Sequence, residues 1–143
     1  MVTLTLRVIT PDKIALDHQV ESVIVPAVDG KLGILPRHAP MIAALDTGIL
    51  EYREKKDGPK RALFVSGGFA EVHGETVRVV TEAGERPSEI DEARAREAEK
   101  RARERLEAAR NTAAEGEPID LLRAENALRR AIMRLRATEY HGE

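Results

Sequence analysis

The chain has 143 residues, with 42% apolar and 34% charged, a globular balance with room for one ordinary domain or a small domain plus an appended element. It holds no cysteine, which excludes disulfides and thiolate metal sites, and no apolar run approaches the roughly 20 residues needed to cross a bilayer. A net charge of −2 that does not separate along the chain, with two Phe, two Tyr and no Trp, excludes the one-signed field and the stacking platforms of a nucleic-acid binder.

Met1 to Ile9 lacks a basic stretch followed by an apolar one, so no secretory signal is expected there. Val2, Leu4, Leu6 and Val8 alternate with Thr and Arg, the pattern of a half-buried strand, which Pro11-Asp12 ends. Val20 to Val25 is the next strand candidate, closed by Pro26. Asp29-Gly30, Asp57-Gly58 and His73-Gly74 are tight-turn signals, and Ile49 to Lys55, Arg61 to Val65 and Thr76 to Thr81 supply further strands. Gly67 and Gly68 mark a bend or bulge. Short strands at this spacing predict an antiparallel sandwich or barrel.

The composition changes near Glu85, and after Pro87 the period becomes helical. Ser88 followed by Asp91 resembles a capping box. Ala95, Ala98, Ala102, Leu106 and Ala109 then recur at spacings of three and four. Asn111 to Pro118 reads as a break ending in a proline suited to a first helical position. Leu121, Ala124, Leu128, Ile132 and Leu135 form the stripe of a second helix, giving an antiparallel helical hairpin. The first helix has an alanine contact face, so each position buries about one methyl, about 0.8 kcal/mol apiece, while its helix propensity is high. Two readings follow: helices that persist while their docking stays marginal, as a switch needs, or a stably docked hairpin with a small core.

Gly30-Lys31-Leu32-Gly33-Ile34-Leu35-Pro36-Arg37-His38-Ala39-Pro40 closely resembles the epsilon subunit of bacterial F-type ATP synthases. The resemblance runs on through Leu45, Gly48, Ser66-Gly67-Gly68-Phe69-Ala70-Glu71-Val72, Glu85-Arg86 and Ile90-Asp91-Glu92-Ala93-Arg94-Ala95, in order and over nearly the whole chain. It implies a β + α protein, with an antiparallel β-sandwich at residues 1–86 that binds partners and a regulatory two-helix hairpin at residues 87–143. It implies a non-catalytic rotor subunit in the central stalk, bound to the gamma subunit and the c-ring within a complex that also holds alpha and beta. It further implies coupling of rotation to ATP synthesis, restraint of ATP hydrolysis, and a place at the cytoplasmic face of the bacterial inner (plasma) membrane, touched only through the complex. Asp29, Gly30, Lys31 and Leu32 are then expected to face the c-ring and His38 the gamma subunit. Many relatives carry an acidic residue where this chain has Lys31. By residue chemistry alone, Leu32, Ile34 and Leu35 fit either a rigid partner-facing loop or sandwich core.

Some members of that family bind ATP with a motif of Ile/Leu-Asp, two variable residues, then Arg-Ala. Ile90, Asp91, Arg94 and Ala95 fit it, and Glu85, Arg101, Arg130 and Arg134 match the positions that accompany it. Arg130 and Arg134 share a helix face with Arg123, and arginine forks suit phosphate oxygens. The competing reading is a surface charge network, since Asp at a helix start followed by Arg is ordinary helix chemistry. Ile119-Asp120-Leu121-Leu122-Arg123-Ala124 repeats the pattern at the second helix. With no Walker loop, ATP would be a regulatory ligand and no cofactor is obligatory.

His18, His38, His73 and His141 have no metal-ligand spacing, so no metal site is expected. Ser66 lacks a nucleophile motif. The alternative to a rotor subunit is a stand-alone ATP-sensing or protein-binding module of the same shape.

Overall fold

The computed structural model describes residues 3–111 and 118–140. Eight strands come first: β1 (Leu4–Ile9), β2 (Ile14–Val20), β3 (Ser22–Ala27), β4 (Gly30–Ile34), β5 (Met41–Arg53), β6 (Arg61–His73), β7 (Thr76–Val80) and β8 (Gly84–Glu85). A 3-10 turn at Pro87–Glu89 leads into helices α1 (Glu92–Asn111) and α2 (Pro118–Ala137). The expected break at Asn111 to Pro118 falls on residues 112–117, outside the described residues, as do Val2 and His141.

All strands join one sheet in the order β2-β1-β7-β6-β5-β3-β4, with β8 also pairing β6. The long ribbon β5–β6 runs through both halves of the sandwich, carrying β7, β1 and β2 at one end and β3 and β4 at the other. Inward side chains of every layer meet in one core: Leu4, Leu6 and Val8 from β1, Val23 and Val25 from β3, Leu63 and Val65 from β6, Val77 and Val79 from β7. The sheet is mixed where an antiparallel one was expected, because β1 and β7 run parallel. The 66 residues from 10 to 75 separate them, ample for a parallel return, and no local turn signal records it.

The ribbon bends at Gly67 and Gly68, both at positive φ (87° and 98°), as the paired glycines predicted. The rung opposite Asp46 is missing while the register on either side is unchanged. β7 and β8 likewise pair β6 in a single register interrupted at residues 81–83. Thr81, almost fully buried, fills that interruption: its Oγ1 accepts from the Ser66 amide at 3.1 Å and donates to the Ala83 carbonyl. The backbones approach so closely here that a Cβ on Gly68 would lie 1.8 Å from the Val80 carbonyl oxygen.

Several local expectations are corrected. Ile14–Val20 is a strand, and the candidate at Val20 to Val25 straddles two, divided at Glu21, whose amide bonds Arg53 instead. Pro26 lies inside β3; having no amide hydrogen, it sits where the β3–β5 register shifts. Its ring packs so tightly that a Cβ on Gly48 would be 2.8 Å away. The stretch from Gly30 begins as edge strand β4 rather than a loop, so Ile34 is core, Leu32 packs against the core, and Leu35 alone stands out at 63% exposure. The cap of α1 is Asp91, whose Oδ1 accepts from the Arg94 amide at 3.1 Å, while before it the Glu89 carboxylate accepts from the Arg86 amide at 2.9 Å.

The α1–α2 seam is alanine on both sides. Ala95 and Ala102 are buried on α1, with Leu106, but α2 buries Ala124, Ala131 and Ala137 more fully than the leucines and isoleucine of its expected stripe. α2 also lies across β5 and β6. It covers their outer face around Phe64, which is fully buried yet outside the sandwich core. α2 therefore serves two neighbours, and its larger side chains are shared between them.

Candidate functional site

A cleft of about 620 Å³ opens where α1, the end of α2, β8 and the β1–β2 turn converge. It brings together seven of the eight residues expected to hold a nucleotide: Glu85, Ile90, Asp91, Arg94, Ala95, Arg101 and Arg134. Arg130 is the exception. It lines an adjoining groove of about 720 Å³ between the helices, which shares Arg101 and Arg134 with the cleft.

The reason for the convergence is local. Asp91 caps α1, which fixes Arg94 one turn on and Arg101 two turns beyond that. Glu85 sits on the two-residue strand β8 and is held from α2: Arg134 donates from Nε and Nη2 to its two carboxylate oxygens, each at 2.9 Å. The same guanidinium lies 4.6 Å from the Phe64 ring centroid, a cation–π contact.

Sequence reasoning missed the far wall. Lys13, from the β1–β2 turn, donates to Glu89 at 3.2 Å, and Asp12 and Glu82 stand beside it. The Arg86 amide donates to the Glu89 carboxyl and Lys13 adds its charge; against the opposing effect of burial they hold that carboxyl below its usual range. Nothing in a helical period connects position 13 with position 89.

The cleft therefore carries both signs: Asp12, Glu82, Glu85, Glu89 and Asp91 against Lys13, Arg94, Arg101 and Arg134. Pairing of Lys13 with Glu89 and Arg134 with Glu85 leaves Arg94 and Arg101 as the arginines of this cleft without an ion pair among the described residues. Such a lining offers donors and acceptors for a polar ring system and two forks for an anion.

The expected partner-facing residues lie at the opposite end of the sequence logic. Asp29 and Gly30 form the exposed tip of the β3–β4 hairpin, with Gly30 at φ 124°. Lys31 is exposed and reaches to 3.7 Å from Glu51, whereas Leu32 is half-buried. His38 closes a turn, its amide donating to the Leu35 carbonyl, and Arg37 within that turn holds φ 67°. Pro36 followed by a positive φ is the geometry of a type II turn, which makes the corner stiff. β4 is an edge strand, paired only to β3. Two exposed side chains missed in the sequence, Ile42 and Phe69, belong to an outer apolar face. Phe69 is opposite Ala44 and diagonal to Ile42, and exposed Val28 bonds the Ala44 carbonyl.

No group of three or more potential metal ligands occurs among the described residues. No helix there is long and apolar enough to cross a membrane.

Two family descriptions match this chain. The β-sandwich domain of the ATP synthase delta/epsilon chain matches residues 3–87, and the long alpha-helix domain of the same chain matches residues 88–139. The ATP synthase epsilon chain of Symbiobacterium thermophilum is 46% identical over 138 residues, 96% of this chain and 94% of that one. That of Halalkalibacterium halodurans is 46% identical over 135 residues, covering 94% and 96%. Among solved structures, a chain of the Euglena gracilis mitochondrial ATP synthase superposes with a TM-score of 0.78 at 24% identity, covering 98% of this chain and 83% of that one. A chain of the Tetrahymena thermophila mitochondrial ATP synthase central stalk and c-ring gives 0.59 at 16% identity, covering 94% and 96%. At those identities the two structures speak to the fold alone.

Proposed function

The chain belongs to the ATP synthase epsilon family, and from that membership we propose that it is a non-catalytic rotor subunit of the central stalk. In this reading the sandwich binds the gamma subunit and rests on the c-ring, below the alpha and beta subunits. Rotation driven by the ion gradient is passed to ATP synthesis at the cytoplasmic face of the bacterial plasma membrane. The observation that carries the reading is the outer face of the sandwich: Val28, Ile42 and Phe69 are exposed together beside the edge strand β4 and the stiff Leu35–His38 turn. An exposed apolar face next to an unpaired strand edge is what a protein partner covers. Tagged chain captured from membranes should bring gamma and the c subunit with it in fixed proportion. Recovery as a free protein, with Ile42→Asp making no difference to what is captured, overturns the rotor reading.

The hairpin is the regulatory part of the proposal. Its helices meet on alanine, and α2 is tied to the sandwich by a few ion pairs and hydrogen bonds beside the apolar contact around Phe64, so in this reading the docked and released states differ modestly in free energy. ATP bound across the cleft and the adjoining groove by Glu85, Asp91, Arg94, Arg101, Arg130 and Arg134 stabilises the docked state by its differential affinity for it. Release at low ATP would let α1, about 30 Å long, reach along the stalk and hinder hydrolytic rotation. Titration calorimetry with MgATP on the isolated chain tests this. Saturable heat that Arg94→Ala weakens about tenfold is expected, and no heat at millimolar nucleotide removes ATP from the scheme.

A further inference from the structure

Glu51 is a carboxylate shared by three parts of the chain. It lies on β5 opposite Ala62, on the sheet face that α2 covers around Phe64, and only 6% of it is exposed. Lys60, just before β6, meets one carboxylate oxygen at 3.1 Å, and Lys31 of β4 stands 3.7 Å from the other; these are its ion pairs among the described residues. The Tyr140 hydroxyl donates to the same group. Tyr140 follows the end of α2 through successive turns, its amide donating to the Ala137 carbonyl and the Glu139 amide to the Arg136 carbonyl, so its position travels with the helix.

Lys31 reaches Glu51 across a strand. It is opposite Pro26 while Glu51 is opposite Ile24, so β3 runs between the two residues and their side chains rise on one face. β4 and β5 are about 10 Å apart across β3. Lys31 therefore lies back over the sheet toward Glu51 instead of extending past the exposed tip formed by Asp29 and Gly30. An ammonium placed there is withdrawn from a group that approaches the tip.

We propose that Glu51 couples the β3–β4 tip to the helical hairpin: an acidic segment that draws Lys31 off at the tip loosens hairpin docking, and a docked hairpin holds Lys31 back from such a partner. The proposal rests on the reading of the hairpin as an element that docks and releases.

The sign follows from electrostatics. With Tyr140 in place, water is kept from the carboxylate, and the attraction between Glu51 and both lysines grows as the local dielectric falls. With the hairpin released, Glu51 is hydrated and its hold on Lys31 is screened. Removing the Lys31 charge therefore costs the docked state more than the released one. By linkage, docking opposes the loss of Lys31 to the same extent. Lys60 stays in either case, and the Lys31 side chain is 75% exposed, so the coupling is a graded shift of a few-fold in the docking equilibrium.

Hydrogen exchange on the full chain, read by mass spectrometry, tests this in the wild type, Lys31→Gln, Lys31→Arg, Glu51→Gln and the Lys31→Gln/Glu51→Gln double variant. In Lys31→Gln the amides of the last turns of α2 are expected to exchange about threefold faster, with those of β1 and β7 unchanged. Arginine at position 31, which keeps the charge, should restore the wild-type rate. In the Glu51→Gln background the added Lys31→Gln change should have no further effect, because the charge it acts through is gone. Wild-type exchange of α2 in Lys31→Gln, or effects of the two substitutions that simply multiply, overturns the proposal and leaves the hairpin reading standing. Exchange of α2 that keeps pace with β1 in every protein means that the hairpin opens only when the whole chain unfolds, and it removes that reading together with the coupling.

Discussion

Arg134 grips Glu85 with two parallel hydrogen bonds of 2.9 Å while its guanidinium lies over Phe64, so one side chain joins the end of α2 to β8 and to β6. Both partners are about 70% buried at the side chain, which protects the pair from most solvent screening. Glu85→Gln keeps the shape but loses the charge-assisted fork, and should weaken docking of α2 by about 1–2 kcal/mol. Hydrogen exchange should then show α2 amides opening about tenfold faster, with β1 and β7 unaffected. Unchanged α2 protection would show that apolar contact around Phe64 alone holds the helix.

A second tie anchors the same helix beyond its end. The Tyr140 hydroxyl donates to Glu51 on β5, a carboxylate only 6% exposed that also meets Lys60 at 3.1 Å and Lys31 at 3.7 Å. Burial works to raise the Glu51 pKa, but the Lys60 contact, the Tyr140 hydroxyl and Lys31 together hold it below the ordinary 4.5. A depressed carboxylate contributes stability that is complete above pH 4.5 and disappears as pH falls through the lower folded value. Burial, then the Glu51 charge, raises the Tyr140 pKa above its ordinary 10.0, so its share is complete below pH 10 and is lost on further alkalisation. Tyr140→Phe should cost about 1 kcal/mol at neutral pH, read as a lower urea midpoint for α2. Its stability should also decline less than that of the wild type as pH rises past 10. An identical alkaline decline in the two proteins would detach Tyr140 from this role.

Features set by local period were legible in the sequence. The alternation Leu4, Leu6, Val8 gave β1, the recurrence of Ala95, Ala102 and Leu106 gave α1, and Pro118 marked the start of α2. Features set by pairing across the chain were not legible. β5 and β6 are thirteen residues each, yet the sequence reads them as shorter pieces, because glycines and outward polar residues interrupt the alternation at the bend. The parallel neighbour of β1 lies some seventy residues away. The same division runs through the candidate site. Asp91, Arg94 and Arg101 are spaced by helix geometry, so their meeting on one wall of the cleft follows from the sequence. Lys13 and Glu82 arrive from loops, which no helical period records.

Gly68 offers a sharp test of the bend. Alanine there must tolerate φ 98° and a Cβ 1.8 Å from the Val80 carbonyl oxygen, so the β6–β7 pairing has to move apart. Gly30 has a comparable φ of 124° but open space around its Cβ position. Gly30→Ala should therefore cost about 1–3 kcal/mol of backbone strain alone, and Gly68→Ala about 3 kcal/mol or more. Denaturant melts of the two variants measure the difference. Equal losses would mean that the strands part freely at the bend and that Thr81 does not hold them.

The alanine seam predicts how the two helices separate. Ala131 is 2% exposed and faces α1, so Ala131→Leu inserts three carbons where the helices touch. Overpacking of this kind costs about 1–3 kcal/mol, and the strain falls on α1, which has α2 as its principal neighbour. α2 keeps its ties through Arg134 to Glu85, Arg129 to Asp46 at 3.0 Å, and Tyr140 to Glu51. Exchange of α1 amides should accelerate while β6 and β7 stay protected, and fluorescence anisotropy of a probe at position 110 should fall. If α1 and α2 instead lose protection together and to the same extent, the hairpin undocks as a unit, and the polar ties rather than the seam decide when it does.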